Sequence, residues 1–274
     1  MFKFILGLLI SAIIFTGCAR PMWLYAQRNN VKGIEKKLKA GEDVNTEDVV
    51  GQTPLHSAAE YGRVRAIKIL VKNGAIVDKY DHHGQAPLFL AVYYFRAEAV
   101  NELIKSGADV KNKLHKTDDA SLNGATYMHV LAMASYDEYD LYKFIKSSKS
   151  SRANLYNEND MLNTLKYLYK AGIDINSVND RGQSALHFLS YGKNHRIKTT
   201  LAMAMVKLGA NVNLQDKNGN TPAHLAAQGL MTKVLKGLFA SGADIDNIRN
   251  KQGLTVRELY NLKLRNDPLS WSMN

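Results

Sequence analysis

Four histidines, His56, His129, His187 and His224, each stand three residues after a Thr or Ser, in TPLH, TYMH, SALH and TPAH. Imidazole is the usual side chain for proton transfer near neutrality and a common metal ligand. Four copies at one phase point away from both uses, because a catalytic or metal centre needs its groups converging on one spot. His82 and His83 are adjacent, but no paired Cys, Asp or Glu accompanies them at ligand spacing. Glu138 and Asp140 lie in an irregular stretch with nothing to raise one pKa and hold it near a substrate. There is no Gly-rich phosphate loop and no G-x-S-x-G elbow. The expectation is a non-enzyme with no cofactor and no metal.

The residues around these histidines form a repeating unit, clearest in GQTPLHSAAEYGRVRAIKILVKNGAIVDKY from Gly51 to Tyr80. Thr53 suits an N-cap and Pro54 the first turn of a helix. Leu55, Ala58 and Ala59 give that helix a small apolar face, and Gly62 can end it in a left-handed conformation. Val64, Ile67, Leu70 and Val71 recur at helical spacing, so a second helix follows and stops at Asn73-Gly74. Such a pair cannot bury enough surface alone and needs copies on each side. The copies start at Gly84, Gly124, Gly182 and Gly219, and a last first-helix begins after Gly253. Most close on a Gly-Ala-Asp-Val-Asn-like string, as at Gly107, Gly172, Gly209 and Gly242.

The pattern G-x-T-P-L-H-x-A-A with a closing G-A-D-V-N at a period of about 33 resembles ankyrin repeats. The resemblance implies an all-α solenoid of paired antiparallel helices with β-hairpin or loop fingers. First helices would line a concave side and second helices a convex one, and the repeated His would hydrogen-bond the start of its own and the adjacent unit. The repeat domain spans residues 21–265. A partial N-terminal unit occupies 21–47. Full units follow at about 48–80, 81–113, 114–179, 180–215 and 216–248, then a cap at 249–265 and a tail at 266–274. The third unit holds an insertion, 135–160, that breaks the period; insertions in repeat arrays fall in loops, often on the binding face.

The N-terminus is a separate device. Lys3 precedes the apolar run Phe4 to Phe15, then Thr16-Gly17-Cys18. A run of twelve is short for a membrane span and fits a signal-peptide core. Cys18 is the sole cysteine, and the stretch resembles a bacterial lipoprotein signal. That resemblance implies a signal over 1–17, a lipidated Cys18 with a short linker (18–20), and several acyl chains that anchor stably. Ala19 implies sorting to the outer membrane, facing the periplasm. Met22 offers an internal start that would give an unanchored cytosolic form.

Tyr61, Tyr93, Tyr94 and Tyr191 fall at first-helix positions expected to face the groove, with Phe188 nearby; Tyr139 and Tyr142 lie in the insertion. Tyrosine presents a large, stiff surface and a hydroxyl, so these seven are the candidate partner-binding residues. The net charge is +11, or +10 without residues 1–17, which favours an acidic partner or an anionic surface. Many basic residues, among them Lys32, Lys36, Lys37, Lys39, Arg65, Lys68 and Lys72, fall on second helices, away from the aromatic row. That separation argues against nucleic acid and leaves anionic lipid as a use for this face. The expectation is a monomeric, membrane-anchored protein-binding module. Its architecture resembles ankyrin immunity lipoproteins that block type VI secreted lipase toxins. The alternative is a periplasmic scaffold supporting an envelope complex or an antioxidant enzyme.

Overall fold

The computed structural model describes residues 20–111, 113–114, 122–134, 157–192 and 196–265. Cys18, the rest of the N-terminal device, Tyr139 and Tyr142 lie outside the described residues. Thirteen helices are present among those described. They are α1 (Met22–Gln27), α2 (Val31–Lys39), α3 (Pro54–Glu60), α4 (Val64–Lys72), α5 (Pro87–Tyr93), α6 (Ala97–Lys105) and α7 (127–134). Then come α8 (Glu158–Lys170), α9 (Ala185–Leu189), α10 (Arg196–Lys207), α11 (Pro222–Gln228), α12 (Thr232–Ala240) and α13 (Val256–Arg265). None is long and apolar enough to cross a membrane.

Odd-numbered helices α1, α3 and α5, and again α9, α11 and α13, pack on one another as a front layer, the even-numbered helices form a back layer, and α7 enters the shared core through Met128 and Leu131. One apolar core runs the length of the stack, through Leu55, Ile67, Leu88, Leu103, Leu131, Leu165, Leu186, Leu201 and Leu238. This is the all-α repeat solenoid that the spacing predicts.

The capping expectation holds in atomic detail. Thr53 caps α3 from an extended conformation with Pro54 in the first turn, and a capping box links Thr53 to His56. Thr221–His224 and Ser184–His187 repeat the arrangement. The left-handed turn between front and back helices is Gly62 (φ 67), but Asn29, Phe95 and Leu230 hold the same place at φ 50–54. Phe95 is buried there, so core packing holds a non-glycine residue in a conformation that costs about 1–2 kcal/mol. Helix α8 opens at Glu158, inside the last residues of the expected insertion 135–160, because Asn157 accepts a hydrogen bond from Asn159 N at 3.0 Å.

The fingers are turns rather than strands; among the described residues the only bridge is Val178–Ser184. At the base of each finger stands Asp48, Asp81, Asn179, Asp216 or Asn250. Its Oδ1 accepts from the N–H groups two and four residues on, at 2.8–3.1 Å. Successive fingers are joined by single backbone bonds, such as Lys217 N to Arg181 O (3.0 Å) and Lys251 N to Asn218 O (2.9 Å). One bond per finger is too little to propagate a ladder. The approach is close: a Cβ on Gly182 or Gly219, both at positive φ, would meet the next finger's backbone at 3.0 Å.

The four repeated histidines are the struts between units. In each, Nδ1 accepts from the backbone N–H of the cap residue: Thr53 (3.0 Å), Thr126 (3.1 Å), Ser184 (3.1 Å) and Thr221 (3.2 Å). An N–H can only donate, so the ring proton sits on Nε2. Nε2 then donates to a carbonyl of the next unit: Gln85 (3.1 Å), Gln183 (2.8 Å), Asn220 (3.0 Å) and Leu254 (3.1 Å). Burial holds all four imidazoles below their usual range, His129 at about 4. Both nitrogens are committed, so these rings are structural.

Candidate functional site

The front layer opens into a cavity of about 860 Å³ that spans the last three full units and the C-terminal cap. Its floor is Met133 from α7, Phe188 from α9, Leu225 and Gln228 from α11, and Leu259 from α13. Tyr191, 57% exposed, stands at the turn end. The finger side is formed by Arg181, Asn218, Lys251 and Gln252. The lining is mixed: apolar side chains from four front helices sit among polar ones, which also include Gln183, Asn220 and Asn250.

Each part of the site has a local cause. Phe188 is half-buried and packs edge-on against His129 at 5.5 Å, so the inter-unit strut also fixes the floor. Beneath Tyr191 lies Lys198, whose side chain is fully buried and whose Nζ donates to Tyr191 O at 2.7 Å. This bond from the core fixes the backbone while the ring stays in solvent. Asp216 also lines the cavity, but it is buried and its Oδ1 accepts from Asn218 and Asn220 N–H. The exposed charges on the lining are therefore the cations Arg181 and Lys251.

The described candidate residues divide by their relation to the cavity. Phe188 and Tyr191 line the cavity. Tyr61, Tyr93 and Tyr94 lie outside it, half-buried, at the turn ends of α3 and α5. Tyr93 stacks on Phe89 at 6.1 Å and meets Tyr94 edge-on at 5.2 Å. Burial, then the charge of Glu60, pushes the Tyr94 hydroxyl well above the usual phenol range. The reason is local: Phe89, one turn before Tyr93, gives that ring an intramolecular partner. Along the front layer these residues fall in two groups, of which the C-terminal one, Phe188 and Tyr191, borders the cavity.

Sequence reasoning missed the finger residues Arg181, Asn218 and Gln252, although each directly precedes the Gly that opens a unit. It also missed Met133 and the buried Lys198. Among the described residues no group of three or more His, Cys, Asp or Glu could hold a metal ion.

A family model described as "Ankyrin repeats (3 copies)" matches residues 22–114 and 153–249. A putative ankyrin repeat protein of Rickettsia bellii is 35% identical over 102 residues, 36% of this chain and 14% of that protein. Delta-latroinsectotoxin-Lt1a of Latrodectus tredecimguttatus is 34% identical over 79 residues, 29% of this chain and 6% of that protein. The matches thus span about a seventh or less of these relatives' length. Among solved structures, the human ASB11 ankyrin repeat domain aligns with a TM-score of 0.65 at 22% identity, covering 88% of this chain and 91% of that one. A chain from the complex of the Bd0816 predatory endopeptidase of Bdellovibrio bacteriovorus with immunity protein Bd3460 aligns with a TM-score of 0.59. It is 22% identical, and the alignment covers 80% of this chain and 96% of that one. At these identities the structural likeness is one of fold.

Proposed function

Because the chain belongs to the ankyrin-repeat family, we propose that it is a protein-binding module whose cavity seats a folded partner. The carrying observation is the cavity itself: an apolar floor through Phe188 and Leu225, the Tyr191 ring in solvent, and cationic Arg181 and Lys251 at the fingers. Tyrosine and arginine are the side chains most often found to dominate binding energy. A partner with an acidic patch beside an apolar knob suits this lining.

The finer reading is an immunity protein that neutralises a secreted antibacterial effector, a type VI lipase, by occluding it. Lipid on Cys18 would hold it at the outer membrane, facing the periplasm, where such an effector attacks phospholipid. The pairing of an immunity protein with an endopeptidase in a complex that shares this fold supports that reading. The test has two parts. Crosslinking pull-down from competing cells should capture one effector with the unaltered chain and markedly less with Tyr191→Ala or Arg181→Glu. Deleting the gene should sensitise cells to siblings. Full resistance after deletion refutes immunity, and capture of several resident envelope proteins by both forms points to the scaffold.

A further inference from the structure

We propose that the back face of the two units nearest the N-terminus, α2 with α4, docks on an anionic lipid bilayer. Six exposed cations stand on these two helices: Lys32, Lys36 and Lys39 on α2, and Arg65, Lys68 and Lys72 on α4. They recur at i, i+4, i+7 and at i, i+3, i+7. Each helix therefore presents them on the side opposite Ile34 and opposite Ala66, Ile67 and Leu70, which are buried. The helices pack side by side, so the two rows form one patch. The one exposed acid on the pair is Glu35. Lys68 is 61% exposed and meets Glu102 at a long 3.5 Å, whereas Lys37 is committed to Glu42 at 2.8 Å.

Helix electrostatics accounts for part of this set only. Lys36, Lys39 and Lys72 sit in the last turns of their helices, where a cation is favoured by the helix dipole. Lys32 and Arg65 sit in the first turns, where a cation is disfavoured. The next unit carries Glu98 at the matching place. Cations kept against the local field on two adjacent helices answer to an outside anion.

A flat, extended anionic surface complements a two-row patch, and the patch lies in the units that follow the apolar run 4–15. Bilayer contact through this face leaves the front-layer cavity turned away from the membrane. The inference concerns the opposite face from the cavity and stands whether or not the occupant there is a toxin.

The test is partitioning of the full chain, carrying Cys18→Ser, onto large unilamellar vesicles at limiting lipid. One set is phosphatidylcholine alone; the other contains roughly a third phosphatidylglycerol. Each basic residue near such a surface contributes up to about fivefold. Changing the six cations to Gln should lower partitioning onto the anionic vesicles at least roughly tenfold and leave phosphatidylcholine binding unchanged. A control with Lys166, Lys170, Lys207, Lys217, Lys233 and Lys236 changed to Gln should keep most of the anionic preference. The double variant Lys32→Gln/Arg65→Gln relieves the dipole conflict, so it should melt no lower than the parent while losing several-fold in partitioning. Equal loss in the two six-residue variants would reduce the effect to net charge and overturn the proposal. So would the absence of any phosphatidylglycerol dependence, or competition by a duplex DNA as strong as that of the vesicles.

Discussion

Asp78→Asn should stabilise the protein. Three units are tied to the next by an asparagine that both donates and accepts. Asn45, Asn176 and Asn213 donate Nδ2 to the carbonyls of Gly74, Gly209 and Gly242 at 3.1–3.2 Å. Their Oδ1 atoms accept from Ile76, Asn211 and Asp244 N–H at 2.7–2.9 Å. Asp78 occupies the same place in its unit. Its carboxylate accepts from Asp109 N at 3.1–3.2 Å but has no proton for the Gly107 carbonyl, the counterpart of Gly74. Burial, and then the Asp109 charge, raises the Asp78 pKa. Asparagine restores the missing donor and removes a like-charge contact. One net hydrogen bond contributes about 1 kcal/mol, which in a chain of this size raises Tm by about 2–4 °C. Thermal unfolding followed by far-ultraviolet circular dichroism at neutral pH reads the shift. The pH dependence supplies a second check. Asp78's folded pKa lies above its unfolded value, so the native state binds the proton more tightly and the penalty of the charged carboxylate is present only at higher pH. The advantage of Asp78→Asn should therefore fade as pH falls through the raised pKa toward the ordinary carboxylate range. A neutral or lower Tm at pH 7, or an advantage that grows in acid, would refute this reasoning.

The buried histidines should make the solenoid acid-labile. Their folded pKa values lie below the unfolded 6.5, so the unfolded chain takes up protons first and stability falls as pH drops from 6.5 through the folded values. His129, at about 4, alone contributes a loss of about 3 kcal/mol, seen as a lower urea midpoint at pH 4 than at pH 7. Leu230→Gly should stabilise or leave unchanged the left-handed turn at φ 50, gaining up to about 1 kcal/mol, whereas Phe95→Gly should lose several kcal/mol because that ring is buried. Tyr191→Ala should shift the urea midpoint by less than about 0.5 kcal/mol equivalent while markedly reducing partner capture, since its ring stands in solvent.

The repeat itself was legible in the chain because its cause is local. Thr53-Pro54 starts a helix, the His three residues after the cap closes the capping box, and Gly74 at φ 88 ends the second helix wherever the sequence places it. In-phase recurrence of such signals determines paired helices, their order and the structural use of His56, His129, His187 and His224. The finger bases Asp48, Asp81, Asn179, Asp216 and Asn250 were equally local, each five residues ahead of the cap position. The site was not local. Met133 and Leu259 share a cavity although they stand more than a hundred residues apart, and only the stacking of units brings them together. The fate of each aromatic depended on what its neighbours offered. Tyr93 found Phe89 one turn away and turned to it, while the Tyr191 ring stayed in solvent above a buried Lys198 that grips its carbonyl. Position in a repeat sets where a side chain starts; the packing partner, which differs from unit to unit, sets whether it is spent on the core or left for a ligand.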